Sequence, residues 1–155
     1  MIRPPRWLRA CFASTLFFAA SGLVAFSVTA ENQARATLTL RIAVKDDKGQ
    51  VGCVLFNSQK GFPDDSSASL QRKWCAIQKS ESVCRFDPVP AGTYAVACFH
   101  DENENGKLDK NFIGVPTEGT VASNNAKGTM GPPSFEDAKF SLVAKPSMLR
   151  LKMNY

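Results

Sequence analysis

Thr37-Leu38-Thr39-Leu40-Arg41-Ile42-Ala43-Val44 alternates without a fault, with Leu38, Leu40, Ile42 and Val44 on one side and Thr37, Thr39, Arg41 and Ala43 on the other. A period of two is the signature of a strand with one buried face, because successive side chains of a pleated strand point to opposite sides. Asp46-Asp47-Lys48-Gly49 supplies turn chemistry, and Val51-Gly52-Cys53-Val54-Leu55-Phe56 is a continuous apolar run suited to a central strand. The spacing predicts an opening hairpin.

Further along, Ser58 to Arg72 holds Gly61, Pro63 and a Ser/Asp cluster, and reads as a loop. Trp74 to Gln78 and Val83 to Phe86 are short strand candidates about a Lys-Ser-Glu-Ser turn. In Asp87-Pro88-Val89-Pro90-Ala91-Gly92 two prolines and a glycine oppose regular structure. Thr93 to His100 is apolar on both faces, so it is expected inside a sheet; Phe140 to Val143 and Met148 to Met153 close the domain. No segment has a convincing helical period. The reading is an all-β, antiparallel, seven-stranded Greek-key β-sandwich of immunoglobulin or prealbumin type, with one long loop from Asp101 to Ala138. A loop of that length is functional or disordered more often than not.

Arg3, Arg6 and Arg9 precede an uncharged run from Ala10 to Ala30 that ends in the small residues Val28-Thr29-Ala30. This predicts a signal peptide over residues 1–30, cleaved rather than kept as an anchor, because Ser14, Thr15, Ser21, Gly22, Ser27 and Thr29 dilute the apolar run. Residues 31–155 then form one exported domain, periplasmic or extracellular, that meets the membrane only through the transient leader. Those three arginines account for most of the excess positive charge; without them 16 basic residues face 14 acidic ones. The basic residues are scattered, and nothing in the balance points to nucleic acid.

Cys11 leaves with the leader, and Cys53, Cys75, Cys84 and Cys98 remain. An even count in an exported chain predicts two disulfides. A four-cysteine zinc site lacks the C-x-x-C pair that such sites use. Cys75 and Cys84 flank one predicted hairpin, and Cys53 and Cys98 lie in the two most apolar strands, so the expected pairs are 75–84 and 53–98.

The stretch His100-Asp101-Glu102-Asn103-Glu104-Asn105-Gly106-Lys107-Leu108-Asp109 sets oxygen-bearing side chains at alternate places, with a glycine at the turn. Asp101, Asn103, Asn105, the Lys107 backbone carbonyl and Asp109 match the first three quarters of a calcium loop, while the place of its bidentate Glu is taken by Phe112. Two readings stand: a weakly held calcium ion, or a loop whose Asn and Asp side chains bond their own backbone. Beyond it, Phe112, Asn124, Asn125, Phe135, Glu136 and Asp137, together with His100, are the candidate binding-loop residues.

Across Pro90-Ala91-Gly92-Thr93-Tyr94-Ala95-Val96, Phe99-His100-Asp101-Glu102-Asn103, Asn111-Phe112-Ile113-Gly114-Val115-Pro116 and Gly131-Pro132-Pro133-Ser134-Phe135-Glu136-Asp137-Ala138, the chain resembles the bacterial secreted family known as domain of unknown function two-one-four-one. The resemblance implies an exported, transthyretin-like or prealbumin-like β-sandwich without an established activity. The expectation is a non-enzymatic binding or accessory module whose partner is an extracytoplasmic protein, a glycan or a small ligand. The alternatives are a hydrolase-like enzyme with His100 as base and Ser123 or Ser134 as nucleophile, and a purely structural envelope protein. Adjacent strand residues point to opposite faces, so Asp101 is poorly placed to orient the His100 ring.

Overall fold

The computed structural model describes residues 35–155; the predicted signal peptide lies outside them. Eight strands form: β1 Arg35–Ala43, β2 Gln50–Phe56, β3 Gln71–Gln78, β4 Glu81–Pro90, β5 Gly92–Asp101, β6 Thr120–Ala122, β7 Phe140–Leu142 and β8 Ser147–Lys152. Among the described residues there is one short helix, α1, at Phe135–Ala138, and two 3₁₀ turns at Ser66–Ala68 and Ser123–Asn125. The class is all-β, as the patterning predicts, but the arrangement is not an antiparallel seven-stranded Greek-key sandwich. The strands run in the order β6-β5-β2-β3-β4-β1-β8, with β7 on β5.

β1 shows why. Leu38, Leu40 and Ile42 are fully buried, so its alternation does mark a one-sided strand. Its neighbours, however, are β4, antiparallel, and β8, parallel, and not β2. The expected opening hairpin is absent: Asp46 to Gly49 turns the chain away, and β2 pairs with β3 and β5. A parallel pair needs a long crossover, and here the whole of β2 to β7 supplies it before the chain returns as β8. Backbone N–H groups of Thr120 and Asn154 each donate to the other's carbonyl at 2.8 and 2.9 Å, which ties β6 to the segment after β8 and nearly closes the sheet.

β3 and β4 form the hairpin expected around Lys79-Ser80, both of which take left-handed φ values of 55° and 56°. The run Asp87 to Pro90 does not break regular structure. It continues β4, because a register shift between Ala36 and Leu38 absorbs the irregularity and β3 pairs with β4 only through Ile77 and Gln78, leaving the prolines no ladder to interrupt on that side.

The inner faces of β1, β2, β4, β5 and β8 enclose one core, including Leu40, Leu55, Phe86, Val96 and Leu151. Burying each such side chain contributes about 1.5–3 kcal/mol, and this core makes Asn32–Tyr155 a self-contained compact unit. A second, small cluster lies on the opposite face of β5: Ala95 packs on Ala122 and Ala138, with Phe62, Ala126 and Phe135 around them. β5 is covered on both faces at that end, in keeping with its two apolar faces.

Candidate functional site

Farther along, the outer face of β2 and β5 is open. Val54 and Ala97 are cross-strand partners there, and Gly52 lies between Trp74 on β3 and Phe99 on β5 in the register. The two rings meet edge to face, 5.6 Å apart at 84°. A Cβ on Gly52 would stand 2.7 Å from the Trp74 ring and 2.8 Å from the Phe99 ring, so only glycine lets both rings lean over the strand. Small residues thus floor a groove of about 920 Å³, lined further by Lys107, Leu108, Lys110 and residues 114–116 and by residues of the segment 126–133. That volume falls in the range of small-ligand sites.

The polar lining is one-sided in charge. Arg72, Lys73, Lys107, Lys110 and Lys127 face a single carboxylate, Asp64, which lies 3.6 Å from the Lys110 ammonium. Among the described residues Lys73, Lys107 and Lys127 have no carboxylate within ion-pair distance. The near-balanced charge of the domain makes this local excess a property of the groove.

The predicted calcium loop sits beside the groove, and its side chains are engaged with one another. The buried Asp101 carboxylate accepts from the backbone N–H groups of Asn105 and Gly106 at 3.0 and 2.9 Å and from Gln50 Nε2 at 3.2 Å. Asp109 accepts from the Asn103 and Asn105 amides, while Asn105 Oδ1 accepts from Lys107 N at 2.8 Å. These are the self-bonded turns that Asp and Asn favour. Glu118 completes the arrangement, accepting from Glu102 N and Asp109 N at 2.9 Å each. Nothing in the sequence flagged Glu118; only its burial, at 6 % exposure, reveals the part it plays.

His100 is fully buried, with both ring nitrogens engaged. Nε2 lies 2.7 Å from the Lys48 carbonyl, which only accepts, so Nε2 carries the proton and Nδ1 accepts from the Tyr155 hydroxyl at 2.7 Å. Tyr155 also accepts from Lys45 N, and burial pushes its phenol above the ordinary tyrosine range. Neither nucleophile suggested for a His100 enzyme is near it by hydrogen bond: Ser123 Oγ accepts from Val96 N at 2.9 Å and donates to the Ala138 carbonyl at 2.5 Å, and Ser134 caps α1.

Most of the other binding-loop candidates hold the loop itself. Asn124 and Asn125 adopt left-handed φ values that asparagine tolerates, and their amides tie the loop to Lys139 O at 2.9 Å and to Lys152 N at 2.9 Å. Phe135 packs edge-on against Phe62, which packs edge-on against Phe56, anchoring α1 to β2. Ser134 Oγ caps α1, accepting from Asp137 N at 3.2 Å and donating to the Asp137 carboxylate at 2.6 Å, and Glu136 pairs with Lys139. The S-x-x-D spacing from Ser134 to Asp137 is a helix-start signal that the sequence reading passed over when it placed this segment in the long loop. Phe112 is different: it touches almost nothing and is 99 % exposed. Cys53 and Cys98 are cross-strand partners with Cα atoms 4.2 Å apart, and Cys75 and Cys84 stand 5.6 Å apart, both pairs at disulfide distance.

Among curated proteins none matches the chain. A family model described as an uncharacterized protein conserved in bacteria (DUF2141) matches residues 42–149, from the end of β1 into β8 and across both lining segments of the groove, and the chain belongs to that family.

Proposed function

We propose that the protein is an exported, non-enzymatic binding module whose groove takes an elongated organic anion with an apolar body. The observation that carries this reading is the combination of a small-residue floor under the Trp74–Phe99 pair with five cations to one carboxylate in the lining. An apolar body would cover Gly52, Val54 and Ala97; the anionic end would meet Lys107 and Lys110. Cysteine pairs at disulfide distance support an oxidising compartment. The burial of His100 favours a binding module over a hydrolase, because a general base must reach the proton it takes. The Asp101–Asp109 loop acts in this reading as a self-bonded brace for the groove wall, without calcium.

Trp74 is the only tryptophan after Trp7, so in the unit 32–155 its fluorescence reports on the groove alone. Dodecanoate should give a saturable change, dodecanol one at least about tenfold weaker, and Lys107→Glu/Lys110→Glu should weaken dodecanoate by at least about tenfold, which is 1.4 kcal/mol. No response to either probe would leave the purely structural reading in its place, and equal affinities for acid and alcohol would remove the role of the cations.

A further inference from the structure

A second hollow, of about 380 Å³, adjoins the groove along the free edge of β8. Lys127 and Asn154 line both cavities, and the hollow adds Asn125, Arg150, Leu151 and Lys152. The register explains the link. Trp74, Gly52, Phe99 and Thr120 are successive cross-strand partners on β3, β2, β5 and β6, and Thr120 bridges Asn154. One row of residues therefore crosses the open floor and ends just past β8, a path of four strand spacings or roughly 19 Å. Leu151 and Met153 are buried, so Lys152 and Arg150, which alternate with them, stand on the outer surface where that row ends.

Charge in the hollow is of one sign. Lys127, Arg150 and Lys152 are all exposed, none of them makes an ion pair among the described residues, and no acidic side chain lines the space. The neighbouring carboxylates are already engaged. Glu81 is held by two nitrogens of Arg41, the cross-strand partner of Arg150. In α1, reached across Asn124, Asp137 accepts from Ser134 Oγ and Glu136 pairs with Lys139. The backbone edge of β8 is closed by an amide, since Asn125 Oδ1 accepts from Lys152 N at 2.9 Å and Asn125 Nδ2 donates to the Arg150 carbonyl at 3.4 Å. Three cationic heads thus share one small space with no anion to offset their repulsion, and a bound anion would relieve it.

We infer that this hollow is a second anion subsite of the groove and that the ligand is a dianion, with one anionic group at Lys107 and Lys110 and the other at Lys127, Arg150 and Lys152. The inference rests on the reading of the groove as a binding site and deepens it, by setting the number of charges on the ligand and a minimum length between them. The apolar middle would lie over the row from Gly52 to Thr120. The Arg150 guanidinium offers a carboxylate two parallel donors, and the stems of Lys127 and Lys152 let their ammonium groups converge on it. A short dianion could satisfy one subsite only.

The test compares dodecanedioate with dodecanoate by Trp74 fluorescence on the unit 32–155. The diacid should bind at least about fivefold tighter, an advantage that shrinks as salt rises. Hexanedioate should have no such advantage over hexanoate. Arg150→Gln/Lys152→Gln should abolish the advantage of dodecanedioate, leave dodecanoate within about twofold of the wild type and leave the circular dichroism spectrum unchanged. Dodecanoate binding with no advantage for the diacid, or an advantage that survives in R150Q/K152Q, would overturn this inference and leave the groove reading standing. Silence toward both twelve-carbon acids would remove the groove reading and this inference with it.

Discussion

On its inner face β5 turns Tyr94, Val96, Cys98 and His100 into the core, none more than 4 % exposed; on its outer face it carries Ala95, Ala97 and Phe99, of which only Ala95 is sealed. The inner face follows the usual logic of folding, with large side chains and, among the described residues, every buried side-chain polar atom partnered. The outer face is built from small residues, and two things are done with the room they leave. At Ala95 the loop fills it with Ala122 and Ala138, while at Ala97 and Gly52 it stays open beneath two aromatic rings. In the proposed reading one strand separates stability from recognition by face, and the two faces should respond differently to the same kinds of change.

The largest contrast is in truncation. Phe86→Ala, at a fully buried core position, should cost about 3–5 kcal/mol in urea unfolding, whereas Trp74→Ala on the outer face should cost about 1 kcal/mol or less. Equal losses would erase the distinction between the faces.

Next comes Ser123, the buried hydroxyl that joins the covering loop to β5. Ser123→Ala leaves the Val96 N–H and the Ala138 carbonyl without that partner and should cost about 1–3 kcal/mol. Hydrogen exchange should show the loss first in α1 and the 3₁₀ turn at Ser123–Asn125, with Leu38 to Ile42 still protected; uniform deprotection would mean that loop and core are one unit.

Asp101 sharpens the same boundary, since its carboxylate is the centre of the loop brace. Asp101→Ala should cost about 1–3 kcal/mol for the donors it abandons. With the brace self-bonded, that loss and the wild-type melting temperature should be the same in chelator and in about 10 mM calcium. A rise of several degrees with calcium, absent in the variant, would restore the metal reading of this loop.

The smallest effect is at alkaline pH. Burial raises the phenol of Tyr94, and desolvation of the hydroxyl beside His100 raises that of the half-exposed, less confined Tyr155, which favours their neutral forms in the folded state. Their contribution is therefore complete below the ordinary tyrosine range and is lost as pH rises through the raised folded values. Tyr155→Phe should flatten that alkaline loss in a pH series of melts; an unchanged slope would remove Tyr155 from the account.

The inner face was legible in sequence and the outer face was not, for a physical reason. Leu38, Leu40 and Ile42 announce a buried face because burial selects large apolar residues at every second place. Turn chemistry at Asp46 to Gly49 announces a reversal but not a partner, so the same reading placed β2 beside β1, where tertiary packing places β4 and β8. A groove made by Gly52 and Ala97 has no side-chain signature, since its meaning lies in atoms that are missing. The exposure of Ile113 was equally hidden, and that of Phe112, named as a binding-loop candidate, was left open, because apolar residues in a loop more often anchor it, as Phe135 and Phe62 do here.

The most direct test of this division of labour is Ala97→Leu, which adds apolar volume to the groove floor opposite Val54 without touching the core. Its urea unfolding free energy should stay within about 1 kcal/mol of wild type, while the Trp74-monitored affinity for dodecanoate falls at least about tenfold. An Ala97→Leu protein that binds dodecanoate as tightly as the wild type would contradict the account.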